Sequence, residues 1–380
     1  MGKFRFIAFY LPQYHPTPNN DRWYGAGFTE WTNLGKARKC YPGHDFPHVP
    51  GELGYYDLRL PETREAQANL AREYGIEGFC YYHYWFGNGV RELERPFHEV
   101  LHSGKPDFPF CLCWANQTWK MKMWNKDAVI DAKILQEQRY PGPEDERAHF
   151  EACLPAFRDP RYIRVDGKPL FMIYRPLELP DPAAFMEHWR RLARENGLEG
   201  IFFIGQTPNA DRELAPILET GVDGVNTLRM HDYRRRWNPV KYALKRLWWN
   251  LSPYPKIVNY KDVSRFFIAG EDRRENVFPS VLPNWDHSPR SGRGGSIIHG
   301  SSPQLFERNV RDALNAVEAK QPDHRLIFIK SWNEWGEGNY MEPDLRFGRG
   351  YLEALKHAVE SEEAGSPHSL PGPGRRGPRE

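Results

Sequence analysis

Three observations in the sequence predict a (β/α)8 TIM barrel of α/β class, a single domain with long loops at the C-terminal face of the strands. Eight short apolar, aromatic-rich runs alternate with amphipathic stretches, the pattern of parallel strands joined by helices. No G-x-G-x-x-G or G-x-x-x-x-G-K-[ST] follows any run, so the usual reason to expect an open nucleotide-binding sheet is missing. Aromatic and polar residues gather where the runs end, and in a barrel that rim builds the site.

The strands are expected at Phe4–Tyr10, Gly78–Tyr82, Phe110–Trp114, Pro169–Tyr174, Ile201–Gly205, Gly224–Asn226, Val277–Leu282 and Leu326–Ser331. Helices are expected at Glu62–Tyr74, Arg91–His102, Glu144–Phe157, Pro182–Asn196, Asn209–Glu219, Val240–Trp249 and Pro303–Lys320. Two insertions, Pro12–Pro61 and Arg229–Asn276, are long enough to act as walls or lids over the active face. Residues 1–361 form the predicted barrel, while the tail 362–380 has too little apolar content to fold and is expected to be disordered.

Composition narrows the function. With 52 Lys and Arg against 50 Asp and Glu, the net charge of +2 gives no field that would select nucleic acid. The start of the chain lacks the zones of a secretory signal and no run of 18 apolar residues follows, so a cytoplasmic protein without a transmembrane segment is expected. Five Cys, an odd count without CxxC spacing, support neither a disulfide framework nor a zinc site, and the histidines lack H-E-x-x-H spacing. Neither metal nor cofactor is expected. Aromatic residues make up 14 % of the chain, and rings beside Asn, Gln, His and Glu can stack on sugar faces while the neighbours bind hydroxyls. An oligosaccharide or polysaccharide is therefore the expected partner.

The strongest chemical signal closes strand eight, where Ser331-Trp332-Asn333-Glu334-Trp335-Gly336-Glu337-Gly338 places two carboxylates three residues apart. If the chain turns helically there, both share one face, as paired acid/base chemistry at a glycosidic bond requires. Such pairs are common on solvated helices, but flanking tryptophans, tight-turn glycines and the barrel position favour function for Glu334 and Glu337. The other strand ends supply candidate binding residues: Tyr10, Gln13, Tyr14 and His15, then His83, Tyr84 and Trp85, then Trp114, Asn116 and Trp119. Tyr174, Gln206, Trp285 and Asp286 continue the set, and Gln117, Arg175, Asn284 and Arg290 stand beside them on the same rim. The stretch Arg234, Arg235, Arg236, Lys241, Lys245 and Arg246, interleaved with Trp237, Trp248 and Trp249, reads as a solvated amphipathic face or as a grip for an anionic substrate or lipid head group.

The runs Phe9-Tyr10-Leu11-Pro12-Gln13-Tyr14-His15-Pro16, Gly27-Phe28-Thr29-Glu30-Trp31, Tyr82-His83-Tyr84-Trp85-Phe86, Trp114-Ala115-Asn116, Trp285-Asp286 and Glu342-Pro343-Asp344, with the strand-eight motif, resemble the WbsX-like, glycoside hydrolase family 99-like proteins. The resemblance, from about Phe4 to about His357, implies a TIM barrel linked with bacterial polysaccharide loci, whose members are often labelled glycosyltransferases. It adds Glu30, Trp31, Asn333 and Trp335 to the binding set, and matches a Glu-Trp-x-Glu motif of retaining family 99 enzymes at Glu334-Trp335-Gly336-Glu337. By that resemblance Glu334 deprotonates the 2-hydroxyl of a mannose-type sugar to give a 1,2-anhydro sugar, with Glu337 as general acid and then base. Tyr10, Trp114, Asn333 and Trp335 would hold the reacting sugar. Three readings follow: a retaining, possibly endo-acting hydrolase, a transferase or transglycosylase of O-antigen or capsule assembly, and a non-catalytic glycan-binding barrel.

Overall fold

The computed structural model describes residues 3–125 and 128–365, with side chains 122–132 left out. Its core is a closed barrel of eight parallel strands: β1 (Arg5–Tyr10), β2 (Ile76–Trp85), β3 (Phe110–Trp114), β4 (Lys168–Ile173), β5 (Phe202–Thr207), β6 (Gly224–Thr227), β7 (Val277–Val281) and β8 (Leu326–Ile329). Each strand pairs with its sequence neighbours, and β1 closes the ring against both β8 and β2. All eight expected strands are present, most with ends moved by one or two residues. The largest difference is at β2, which runs on through Trp85. There Tyr84 and Trp85 gain antiparallel partners in Glu92 and Arg91, so the following helix starts at Arg95 and not at Arg91.

Helix formation follows local chemistry. At Pro303–Val317 the Ser302 hydroxyl accepts from the Leu305 N–H, a proline fills the first turn, and Phe306, Val310, Ala313, Leu314 and Val317 make one buried face. That face packs on β7, β8 and the final helix, Gly350–Gly365. Truncating Phe306, which has no exposed surface, removes a contact worth about 3–5 kcal/mol. The final helix includes residues 362–365, which the sequence reading assigned to the tail, and the rest of that tail lies outside the described residues.

Strand alternation divides the side chains into two shells. Phe9 stacks on Tyr82 and Phe328 inside the barrel, whereas Tyr10 packs on Phe79 and Tyr81, and Tyr81 on Phe97 of the Arg95–Ser103 helix. The insertion after β6 carries its own small core of Leu228, Met230, Tyr233, Trp237, Trp249, Tyr260 and Trp285, among others. A hairpin unanticipated by the sequence reading, Trp119–Asn125 paired with Ala128–Gln136, follows β3. No helix among the described residues is long and apolar enough to cross a membrane.

Candidate active site

Beyond β8 the chain makes a miniature hairpin in which Asn333 and Glu334 pair with Tyr340 and Asn339, joined through a 3-10 turn at Trp335–Glu337. Residues three apart eclipse in a 3-10 turn, so Glu334 and Glu337 point the same way, and Lys330 and Arg290 each reach both carboxyl groups. The turn is anchored from behind. Tyr14 donates to the Asn333 carbonyl and accepts from the Trp335 N–H at 3.1 Å, while the Asn333 amide accepts from the Leu11 N–H at 2.8 Å and donates to the Leu11 carbonyl at 3.1 Å. Trp335 stacks on Tyr340 at 3.7 Å and donates to Glu342 at 2.6 Å.

Two glycines are needed here for separate reasons. A Cβ on Gly336 would lie 1.6 Å from the Glu30 carboxylate, and Gly338 has φ +50° with room for a Cβ blocked by Asp286 at 2.6 Å.

Around the pair stands a charged cluster. Lys330, four residues before Glu334 and facing inward from the end of β8, donates to Glu334 and to the Tyr82 hydroxyl at 3.1 Å, with Glu337 at 3.7 Å. Arg290 bridges three carboxylates, reaching Glu337 at 2.5 Å, Glu30 at 2.8 Å and Glu334 at 3.6 Å. His287 stands 3.7 Å from Glu337. Burial, and next the charge of Glu337, raise the Glu334 carboxyl above its ordinary value. Burial also opposes ionisation of Glu337, but Arg290 and then Lys330 overcome it and hold that carboxyl below the ordinary value. Glu334 therefore holds a proton more readily than Glu337.

The pair lies on the floor of an open cleft of about 1120 Å³ walled by Tyr82, Tyr84, Trp119, Tyr174, Trp285 and Met230. Of the sequence-predicted residues, Gln13, Tyr84, Trp119, Tyr174, Trp285, Glu334 and Glu337 line this cleft, and Glu30 lines an adjoining hollow that shares Gln13, Gln117, Trp119 and Arg290 with it. Tyr14, Asn333 and Trp335 are buried behind the turn as its support, and half-buried Trp31 packs on Trp335 and donates to the Tyr56 carbonyl at 2.7 Å. Asn116 ties the end of β3 to the Arg175 backbone, Gln206 donates to Asn226 at 2.8 Å inside the barrel, and Asp286 accepts from His44 at 2.7 Å. His15 is buried within electrostatic reach of Asp57 and Arg59.

Tyr10, His83, Trp85 and Trp114 face the helix layer and not the cleft, because each stands one residue out of phase with an inward-facing neighbour. Tyr10 donates to Gln67 at 2.7 Å, and Trp114 packs on Phe185. His83 contacts His149 at 2.8 Å beside Cys153, the one group of three among the described residues with metal-ligand proximity, and it sits behind the barrel wall. Gln117, Arg175 and Arg290, read from the sequence as part of the same rim, also line the cleft, whereas Lys330 and Met230 line it, and His287 the adjoining hollow, without having been read as glycan-binding residues. Only Lys330 had a legible signal, a lysine ending an otherwise apolar strand, Leu-Ile-Phe-Ile-Lys.

The closed ring of eight parallel strands is a TIM barrel, and its buried carboxylates lie just beyond the C-terminal end of the last strand. The model of the family described as "Glycosyltransferase WbsX" matches residues 6–355, and the chain belongs to that family. It is 33 % identical over 357 residues to the protein called "Uncharacterized protein WxcX" of Xanthomonas campestris pv. campestris, covering 93 % of this chain and 49 % of that one, so the chain spans about half the length of the curated relatives it matches. Among solved structures, the GH99 endo-alpha-mannosidase of Bacteroides thetaiotaomicron with bis-tris-propane superposes with a TM-score of 0.57 at 18 % identity, over 95 % of this chain and 98 % of that one. A "Glycoside hydrolase-like protein" gives 0.59 at 15 % identity, over 94 % of both chains. At these identities the likeness establishes the fold.

Proposed function

We propose that the chain is a glycan-cleaving enzyme that hydrolyses a glycosidic bond of a bacterial polysaccharide or oligosaccharide with retention, using Glu334 and Glu337. One observation carries the reading: two carboxyl groups held by the same pair of cations, Arg290 and Lys330, on the floor of a ring-walled cleft. Trp119, Tyr174 and Trp285 offer the flat faces against which sugar rings stack, and Gln13, Gln117 and Arg175 offer hydrogen bonds to hydroxyls.

In the proposed order, ionised Glu334 takes the proton of the sugar's 2-hydroxyl, O2 attacks C1, and Glu337 protonates the departing oxygen as the C1–O bond breaks. Glu337 then deprotonates a water that opens the 1,2-anhydro ring, and Glu334 returns its proton to O2. Glu334 holds a proton more readily than Glu337, so the scheme requires substrate binding to favour its transfer to Glu337. Lys330 favours the ionised form of Glu334 that this transfer creates.

The family's description favours a second reading, glycosyl transfer, in which a sugar hydroxyl replaces water in the second step. The experiment is an oligosaccharide panel read by mass spectrometry with wild type, Glu334→Gln and Glu337→Gln, beside thermal shifts with nucleotide sugars. Cleavage lost in both variants supports hydrolysis. Stabilisation by a nucleotide sugar without any cleavage supports transfer, and binding without turnover supports a glycan-binding barrel.

A further inference from the structure

The insertion between β6 and β7 presents an apolar face that none of the described residues covers. In the helix Pro239–Leu251, Val240 is 67 % exposed, Leu244 64 %, Leu247 56 %, Trp248 44 % and Leu251 77 %. At 3.6 residues per turn these five fall on one stripe, running the length of a helix about 20 Å long. The opposite side holds the helix to the protein, because Trp249 is buried in the insertion's own core and Tyr242 packs against it. Five of the molecule's large exposed apolar side chains thus face directly away from the domain, an arrangement that a solvated helix does not need.

Charge says what would cover them. From Tyr233 to Leu251 there is no Asp or Glu, while Arg234, Lys241, Lys245 and Arg246 supply four cations beside Arg235 and Arg236, which pair with Asp211. Lys241 and Lys245 follow Val240 and Leu244 by one residue each, so they flank the stripe, and Arg246 lies on the other flank. Lys241 lies over Trp237 at 4.8 Å and Lys245 over Trp248 at 4.7 Å, which holds the ammonium groups beside the apolar surface. A second copy packed on the same stripe about a twofold axis would bring these lysines against their own kind.

We infer that the helix Pro239–Leu251 docks the protein on an anionic membrane surface, its Val-Leu-Leu-Trp-Leu stripe immersed among acyl chains and its basic flank among lipid phosphates. Such a helix lies in the interface plane, its apolar face buried about 5–10 Å, and does not span the bilayer. The same insertion core includes Met230 and Trp285, both of which line the cleft, so the docked helix and the cleft wall belong to one packed unit.

The test is flotation of the full chain with vesicles of phosphatidylcholine alone and of phosphatidylcholine containing roughly 30 % phosphatidylglycerol. The wild type floats with the anionic vesicles and is released by high salt. Leu244→Glu/Leu247→Glu lowers the bound fraction by at least about tenfold, Lys241→Glu/Lys245→Glu removes the preference for anionic lipid, and Leu345→Ser, exposed elsewhere, changes nothing. The inference fails if the wild type stays unbound on both vesicles or if Leu244→Glu/Leu247→Glu floats as well as wild type. A wild-type dimer that this variant splits, with no vesicle binding, also overturns it and assigns the stripe to a second copy.

Discussion

Replacing Arg290 by Met isolates the ion cluster, since the side chain keeps most of its aliphatic length and loses its charge. The guanidinium reaches Glu337, Glu30 and Glu334 at 2.5, 2.8 and 3.6 Å. Removing one partner of a buried pair costs about 3–5 kcal/mol, and because this side chain is 24 % exposed to the cleft we take about 3 kcal/mol. At ~2.1 cal/mol/K per residue over the folded chain, that lowers Tm by about 4 °C. The pH dependence identifies the cause. Glu337 is held below its ordinary value, so its contribution is present above the usual carboxylate range and is lost as pH falls through its folded value. The deficit of Arg290→Met should therefore be full at neutral pH and shrink in acid, as the carboxyl groups that Arg290 neutralises become protonated in both proteins. Differential scanning fluorimetry of the two across the acid range reads this directly. An equal Tm deficit at every pH would show that lost packing, not lost charge, sets the cost and would refute the electrostatic reasoning.

Further consequences follow from the same geometry. Gly336→Ala sets a methyl against the Glu30 carboxylate, which Arg290 and Asn33 hold in place, so it should cost about 1–3 kcal/mol and abolish activity. Unchanged melting and turnover would mean that Glu30 has freedom the cluster does not suggest. Glu342, which accepts hydrogen bonds from Trp335, Gln67 and Tyr56, is raised to about 7 by burial. A raised carboxyl stabilises fully below its unfolded value and progressively less as pH rises through about 7, so Tm should fall by the equivalent of up to about 3 kcal/mol over that window, and Glu342→Gln should flatten it. A variant with the same slope as wild type would place the titration elsewhere.

How far the sequence could be read depended on which face of a strand carried the signal. The eight strands were legible because each is a short, almost wholly apolar run, the pattern of strands buried on both faces. That same two-sided burial hid the phase. Nothing in Tyr82-His83-Tyr84-Trp85 says that the tyrosines face the cleft while His83 and Trp85 face a helix, and the structure resolves it only through the register with β1 and β3. Glu334 and Glu337 were legible because a three-residue spacing next to glycine announces a turn. Arg290 was legible as a rim residue but not as their charge partner, since that role depends on meeting Glu30 across 260 positions of sequence. The supporting roles of Asn333 and Trp335 were hidden likewise, because polar and aromatic side chains beside a site serve equally as ligands or as struts.

The most direct test of the carboxylate pair is the anomeric form of the first product, followed by proton NMR as a cleaved oligosaccharide from the panel turns over. The pair as described predicts the substrate's own anomer at the earliest time points and no product with Glu334→Gln or Glu337→Gln. Formation of the opposite anomer, or turnover by either variant at the wild-type rate, would contradict it.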